Sequence, residues 1–185
     1  MNEIIQLKIS LQGTKPLIWR RVLVENSISF FKLHYIIQCA MGWENSHLFE
    51  FNVGGLRIGE PHEDDEGWGG QLMDSVTIIL SSLIKIPKEQ FTYTYDFGDD
   101  WVHLIKLEKF LPIDKNLNYS ICIDGELNCP PEDCGGIWGF YDMLEKLKNK
   151  KHPEYKELID WLGKNYDPNK FDIDEVNKSL LLLNR

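Results

Sequence analysis

The segment FTYTYDFGDDWVHLIKLEKF, residues 91–110, restricts the fold of this chain more than any other part of it. It contains two runs in which aromatic or β-branched residues alternate with other residues, a pattern typical of strands that bury one face. Between the runs stands Gly98-Asp99-Asp100, a composition that favours a tight turn. The segment therefore predicts an antiparallel β-hairpin.

Further strands are predicted before this hairpin. Residues 4–11 alternate apolar and other side chains, and residues 17–24 are rich in β-forming residues, so together they predict another hairpin. Residues 47–55 predict a strand that ends in a glycine turn. By contrast, residues 111–136 show little periodicity and are predicted to be mostly loop.

Helices are predicted mainly in the last third of the chain. Ser29 is a suitable N-cap for an early helix that ends near Gly42. Apolar spacing predicts two amphipathic helices within residues 137–162, and Asp172 with Glu175 predicts the start of a last one. Antiparallel hairpins in the first two-thirds, packed with helices, and a helical last third predict an α+β fold. A length of 185 residues suits one domain.

Acidic residues are unevenly distributed along the chain. The formal net charge is −9, and residues 61–136 contain fifteen Asp and Glu against five Lys and Arg, whereas the flanking segments are nearly balanced. A negative field opposes nucleic-acid phosphates and favours a cation or a basic protein partner. We therefore expect no appreciable affinity for generic duplex DNA at physiological salt. A salt-sensitive gel mobility shift at micromolar protein would contradict this expectation.

The cysteines are expected to be reduced. Because the first residues lack a signal-peptide pattern and no apolar run reaches the roughly 18 residues of a membrane span, we predict a cytoplasmic protein without membrane association. Cys129 and Cys134 have a spacing within the range of zinc sites, with His103, His47 or a carboxylate as further ligands. Two alternatives are that both thiols pack inward as small hydrophobic groups and that they form a redox pair.

Four segments together resemble one protein family: PLIWRRVLV, AMGWENSHLFEF, YTYDFGDDWVHLI and CPPEDCGGIWGFYDML. In this order, from about Ile4 to about Leu162, they are similar to the plasmid open-reading-frame-three-like proteins. Members of that family are also passengers of a bacterial insertion element, where they are labelled resolvase-like. The resemblance implies a single α+β domain over residues 1–185 and an association with plasmids and mobile elements. It implies no particular biochemical activity.

The arginines argue against recombinase activity. A site-specific recombinase holds the scissile phosphate with a set of arginines around a Ser or Tyr nucleophile. This chain has four arginines, of which Arg20 and Arg21 are adjacent and Arg185 is the last residue. On a strand the side chains of Arg20 and Arg21 leave opposite faces. Arginines distributed in this way are poorly placed to surround one phosphate, so the sequence does not support recombinase activity.

The acidic middle segment predicts a functional face around the turn of the hairpin. If residues 97–100 form a four-residue turn, Asp96 pairs with Trp101 and Thr94 with His103, so that Asp96 and His103 share a face. The opposite face, predicted to be the core side, would then contain Tyr93, Tyr95, Val102 and Leu104. The candidate residues of the functional face are Asp96, Asp99, Asp100, His103, Glu132 and Asp133.

Three classes of function remain open on this basis. The first is a binding or accessory module whose acidic face binds a cation or a protein partner. The second is a hydrolase-like enzyme in which the same carboxylates, with the histidine and cysteine candidates, hold a divalent metal such as zinc that activates water. The third is a nucleic-acid-associated accessory protein, which would need a basic strip that the sequence lacks. The metal content of protein purified without chelator separates the first two classes.

Overall fold

A computed structural model describes residues 3–61, 71–114 and 119–183. Within them, eight strands form one sheet in the order β5-β4-β3-β6-β7-β1-β2-β8. All neighbouring strands are antiparallel except β4 and β5, which are parallel. The strands are β1 (Ile4–Leu11), β2 (Trp19–Glu25), β3 (Phe49–Val53), β4 (Leu56–Gly59), β5 (Leu72–Asp74), β6 (Gln90–Tyr95), β7 (Trp101–Leu111) and β8 (Ile121–Glu126).

Helices pack against this sheet and occupy most of the chain after residue 135. The described helices are α1 (Phe30–Met41), α2 (Leu80–Leu83), α3 (Gly136–Leu147), α4 (Tyr155–Leu162) and α5 (Ile173–Leu183). The α+β fold predicted from the sequence is thus confirmed. No helix in the described ranges has the length and apolar character needed to cross a bilayer.

The caps of α1 lie where the sequence places them. The hydroxyl oxygen of Ser29 accepts a hydrogen bond from the backbone N–H of Lys32, and Gly42 ends the helix with a left-handed φ of 80°. Between these caps the helix buries Phe30, Leu33 and other apolar residues completely. Removing their apolar surface from water fixes α1 against the sheet.

The predicted hairpin at residues 91–110 is confirmed, but its register is wrong. The turn contains five residues, 96–100, because Tyr95 rather than Asp96 pairs with Trp101, and Tyr93 pairs with His103. This shift of one residue moves the side chains of β7 to the other face, whereas Tyr93 and Tyr95 of β6 stay on the core side, as predicted. The face with Tyr93, Tyr95, Trp101 and His103 is therefore the buried one, and each of these four side chains is 0% exposed.

Most described residues of 111–136 are irregular, as predicted, but the prediction missed one strand. Strand β8 lies within that segment and pairs with β2, from Trp19 opposite Glu126 to Leu23 opposite Ile121. Its burial pattern is irregular, and its pairing contains a register shift between Arg21 and Val22. A short edge strand of this kind gives little periodic signal in the sequence.

Candidate functional site

Three segments that are distant in the sequence meet at one edge of the molecule. They are the connection between α1 and β3, the β6–β7 turn at residues 96–100, and the loop that leads into α3. The Asp99 carboxylate accepts a hydrogen bond of 3.1 Å from the backbone N–H of Gly135. Gly136 has a φ of 64°, and a Cβ on it would lie 2.5 Å from the carbonyl oxygen of Asp99. Glycine is therefore required for the turn and the loop to approach this closely.

An imidazole and two carboxylates converge where these segments meet. The Nε2 atom of His47 lies 3.0 Å from a carboxylate oxygen of Asp133 and 3.6 Å from one of Asp96. One potential ligand atom from each residue lies within 4.8 Å of the others. The Nε2 atom is buried, yet neither contact has the geometry of a hydrogen bond. A buried ring nitrogen without a hydrogen bond, facing two carboxylates, is an arrangement that a cation would satisfy.

The two carboxylate oxygens of Asp96 make different contacts. Its Oδ1 atom accepts hydrogen bonds from the backbone N–H groups of Gly98 at 2.9 Å and Asp99 at 3.4 Å, which holds the turn. Its Oδ2 atom faces His47. Asp96 and Asp133 both adopt left-handed φ values, 54° and 58°, which aspartate tolerates better than most residues. With this backbone conformation, both carboxylates face the imidazole of His47.

The hydroxyl group of Tyr95 connects two of the three segments. It donates a hydrogen bond to the Glu132 carboxylate and accepts one from the backbone N–H of Ser46 at 2.8 Å and of His47 at 3.3 Å. Burial, together with the Glu132 carboxylate, raises the pKa of Tyr95 well above its usual value. The hydroxyl group therefore stays protonated and keeps its role as donor. It fixes His47 and the loop that carries Asp133 in relation to each other.

Apart from His47, the carboxylates around this junction have no basic partner in the described part of the chain. Among the residues that the structure describes, no lysine or arginine forms an ion pair with any of them. The acidic residues concerned are Asp96, Asp99, Asp100, Glu132 and Asp133. The carboxylates of Asp96 and Asp133, which face the same imidazole, repel each other unless a cation lies between them.

His103 does not belong to this junction. It is completely buried on the core face of β7, and its Nδ1–H donates to the carbonyl oxygen of Trp101 at 3.0 Å. Its ring packs against Trp43 and Tyr93, with centroids 5.4 Å away in each case. The prediction that Asp96 and His103 share a face is therefore wrong, because the five-residue turn separates them.

Cys129 and Cys134 are also placed away from the converging ligands. All four cysteines are free thiols. Cys129 is buried, and its sulfur lies 3.1 Å from the guanidinium of Arg20 and 3.1 Å from the sulfur of Met41. Burial raises the pKa of the Cys129 thiol, and it raises that of Cys134 to about 12. Neither thiol is part of a group of three potential metal ligands in the described ranges.

The structure thus brings together four of the predicted site residues, whereas His103, Cys129 and Cys134 lie elsewhere. His47, Asp96 and Asp133 converge, and Glu132 adjoins them through Tyr95. Asp99 links the turn to the loop, while Asp100 is an exposed turn residue with a left-handed φ of 54°. The sequence predicts Tyr95 as a core residue, and its ring is buried, but the role of its hydroxyl group in the junction was not predicted. Nothing in the alternation pattern signals that its hydroxyl group reaches Glu132.

If a cation binds at this junction, replacing Tyr95 with phenylalanine should weaken its binding roughly 10-fold, as for other residues that position a ligand. The ring stays buried, but the backbone of His47 and the Glu132 carboxylate lose their common partner. Isothermal titration with zinc measures the effect. The matched control is Tyr93→Phe, on the same face of β6 and equally buried. Equal losses of zinc affinity in the two variants would show that Tyr95 has no positioning role.

The fold and the junction define a class of protein: one mostly antiparallel sheet covered by helices, with three loops that bring an imidazole and two carboxylates together. The chain belongs to the family described as plasmid pRiA4b ORF-3-like protein, whose match covers residues 3–175. The resemblance noted in the sequence is thereby confirmed.

Two relatives illustrate this membership. The chain is 35% identical over 179 residues to an uncharacterized protein, y4hQ, of Sinorhizobium fredii, across 96% of this chain and 90% of that protein. It also resembles the crystal structure of a protein of unknown function, MM3350, from Methanosarcina mazei Go1, with 38% identity and a TM-score of 0.86. That match covers 95% of this chain and 97% of the other. Neither description names a ligand or an activity.

Proposed function

We propose that this protein is a cation-binding module that holds a divalent metal ion between His47, Asp96 and Asp133. The observation that carries the proposal is the buried Nε2 atom of His47, which faces two carboxylate oxygens at 3.0 and 3.6 Å without a hydrogen bond to either. Ligand atoms at roughly 2.0–2.2 Å from a tetrahedral zinc ion are about 3.3–3.6 Å apart. The observed separations are close to that spacing.

The chemistry of the ligands narrows the choice of ion. Imidazole nitrogen favours zinc and other late transition metals, whereas carboxylate oxygen also accepts magnesium, calcium and manganese. A mixed set of one nitrogen and two oxygens therefore suits zinc, with manganese or ferrous iron as competitors. The unpaired carboxylates Asp99, Asp100 and Glu132 nearby add a negative field that attracts any of these ions.

The test is to measure metal binding in protein purified without chelator. Elemental analysis should find about one equivalent of zinc after loading. Zinc at 100 times its dissociation constant should add about 2.7 kcal/mol to the free energy of unfolding, which raises the melting temperature by about 5–10 °C. A chelator should reverse the increase. If the melting temperature is insensitive to zinc, manganese and iron, the proposal is wrong.

Asp96→Asn is the most informative variant. It can keep the oxygen that accepts from Gly98 and Asp99 but replaces the oxygen that faces His47 with an amide nitrogen. Zinc affinity should fall roughly 100-fold or more, since even residues that only support a metal ligand are worth 10–100-fold. The melting temperature without metal should change little. Asp160→Asn, an exposed residue of α4 that loses the same charge, is the matched control. Undiminished zinc binding in Asp96→Asn would place the ion elsewhere, with Cys129 and Cys134 as the next residues to replace.

A metal-dependent hydrolase is the second candidate, and the openness of the junction favours it. The side chain of Asp133 is 70% exposed, so an ion held there would keep a coordination position for water. The zinc-loaded protein should then hydrolyse p-nitrophenyl acetate or bis-p-nitrophenyl phosphate, and Asp96→Asn should abolish the turnover. Zinc binding without turnover of either compound favours the binding module.

A further inference from the structure

A cavity lies away from the converging ligands, between α3, α4 and the β1–β2 turn. Its volume is ≈ 670 Å³, within the range of roughly 300–1,000 Å³ typical of small-molecule pockets. Its walls are largely apolar and include Ile18, Phe140, Leu144 and Ile159. Neither His47 nor either of its carboxylate neighbours lines it, so this cavity is independent of the proposed cation site.

The rim of the cavity is positively charged. Three lysines, Lys15, Lys148 and Lys164, line it together with one acidic residue, Glu145. Lys148 pairs with Glu145 at 2.5 Å. Lys15 and Lys164 form no ion pair with any described residue. In a chain of net charge −9, two unpaired lysines beside an apolar cavity form a local site of opposite charge.

The backbone of Lys15 is attached to α3 before any ligand arrives. Its backbone N–H donates to the hydroxyl oxygen of Tyr141 at 2.5 Å, and that hydroxyl group donates to the carbonyl oxygen of Lys15 at 3.2 Å. Tyr141 belongs to α3, so these bonds attach the β1–β2 turn to the helix that forms one wall. A rim that is already ordered loses less conformational freedom on binding.

We propose that this cavity binds a small amphipathic anion, with its apolar body against Phe140, Leu144 and Ile159 and its carboxylate or phosphate group between Lys15 and Lys164. The apolar walls supply the burial of the body, and lysine ammonium groups bind such anionic groups as point charges. A single small molecule fits a cavity of this volume, whereas a protein partner needs a contact surface of roughly 1,000 Å² or more.

The experiment is an NMR titration of the ¹⁵N-labelled protein with decanoate, followed at the amides of Leu144 and Ile159. We expect saturable shifts with a dissociation constant below about 1 mM. The double variant Lys15→Gln/Lys164→Gln should bind decanoate roughly 10-fold more weakly. The double variant and the unchanged protein should bind uncharged decan-1-ol with equal affinity. Both lysines are exposed, so the variant should fold normally.

The matched control is Lys85→Gln/Lys109→Gln, which removes the same charge from exposed positions that do not line the cavity. It should bind decanoate as the unchanged protein does. Three results would overturn the proposal: no saturable shifts at Leu144 and Ile159, equal affinity of the unchanged protein for decanoate and decan-1-ol, or the same loss of decanoate affinity in both double variants.

Discussion

Replacing Arg20 with methionine is expected to lower the free energy of unfolding by about 3–5 kcal/mol. Arg20 is 2% exposed and has no carboxylate partner among the described residues. Its guanidinium group donates instead to the carbonyl oxygens of Ala40 at 2.9 Å, Trp19 at 2.8 Å and Glu126 at 3.0 Å. Methionine fills much of the volume but leaves these carbonyl groups without that donor.

The contribution of Arg20 comes from connecting separate elements. Ala40 lies in the last turn of α1, where a positive charge is favourable to the helix dipole, and Glu126 is the last residue of β8. The guanidinium group also stacks on the ring of Phe171, 4.3 Å from its centroid. One side chain therefore joins a helix, the edge of the sheet and the segment before α5.

The adjacent arginine provides the control for this prediction. Arg21 points to the other face of β2, where it pairs with Glu108 and Asp124 at 2.7 and 2.6 Å in a partly exposed position. Arg21→Met should cost only about 1 kcal/mol, as expected for ion pairs accessible to water. Urea denaturation of both variants measures the difference. Equal losses would mean that water or other donors satisfy the carbonyl groups that Arg20 contacts.

Acidification from pH 7 to pH 5 is expected to reduce the free energy of unfolding by about 4 kcal/mol through two buried histidines. Burial lowers the pKa of both His34 and His103 to about 4, against the opposing effect of their hydrogen bonds. In the unfolded chain each histidine titrates near 6.5. Between pH 6.5 and pH 4 the unfolded chain therefore binds protons that the folded protein does not, and stability falls as the pH falls. Glu108, whose pKa the hydrogen bond from Arg21 lowers, adds to the loss only at lower pH.

His103→Phe tests the origin of this acid sensitivity. The Nε2 atom of His103 is buried without a hydrogen-bond partner, so a phenylalanine ring of similar shape loses only the Nδ1–H bond to Trp101 and should cost about 1 kcal/mol at pH 7. The variant should lose about half of the pH dependence between pH 7 and pH 5. An unaltered slope in His103→Phe would show that other groups cause the acid sensitivity.

Local patterns in the sequence predicted the fold class well and the register of its central hairpin wrongly. Caps such as Ser29 and Gly42 depend only on neighbouring residues, so they could be recognised directly. The length of the β6–β7 turn depends on the left-handed φ values of Asp96 and Asp100, which place five residues between the strands. Aspartate permits that conformation without requiring it, so the sequence could not distinguish a turn of four residues from one of five.

The candidate site was predictable in composition but not in arrangement. The concentration of acidic residues in the middle segment indicates Asp96, Glu132 and Asp133, and His47 is one of several possible nitrogen ligands in the sequence. Their convergence depends on long-range contacts, such as the Asp99 carboxylate on the Gly135 amide and the Tyr95 hydroxyl group on Glu132. No local pattern encodes contacts between segments so far apart in the chain.

The central position of β1 in the sheet has a consequence for the order of folding. β1 lies between β7 and β2, and it pairs Ile4 with Leu111 and Leu11 with His103. The nearby β1–β2 and β6–β7 hairpins can form early, but joining them requires closure of a long loop, which is slow because chain entropy is lost first. The segment with Asp133 follows both hairpins in the chain. The proposed metal ion needs His47, Asp96 and Asp133 together, and they belong to three separate segments. An ion that binds only this assembled junction would stabilise the folded protein without accelerating its formation.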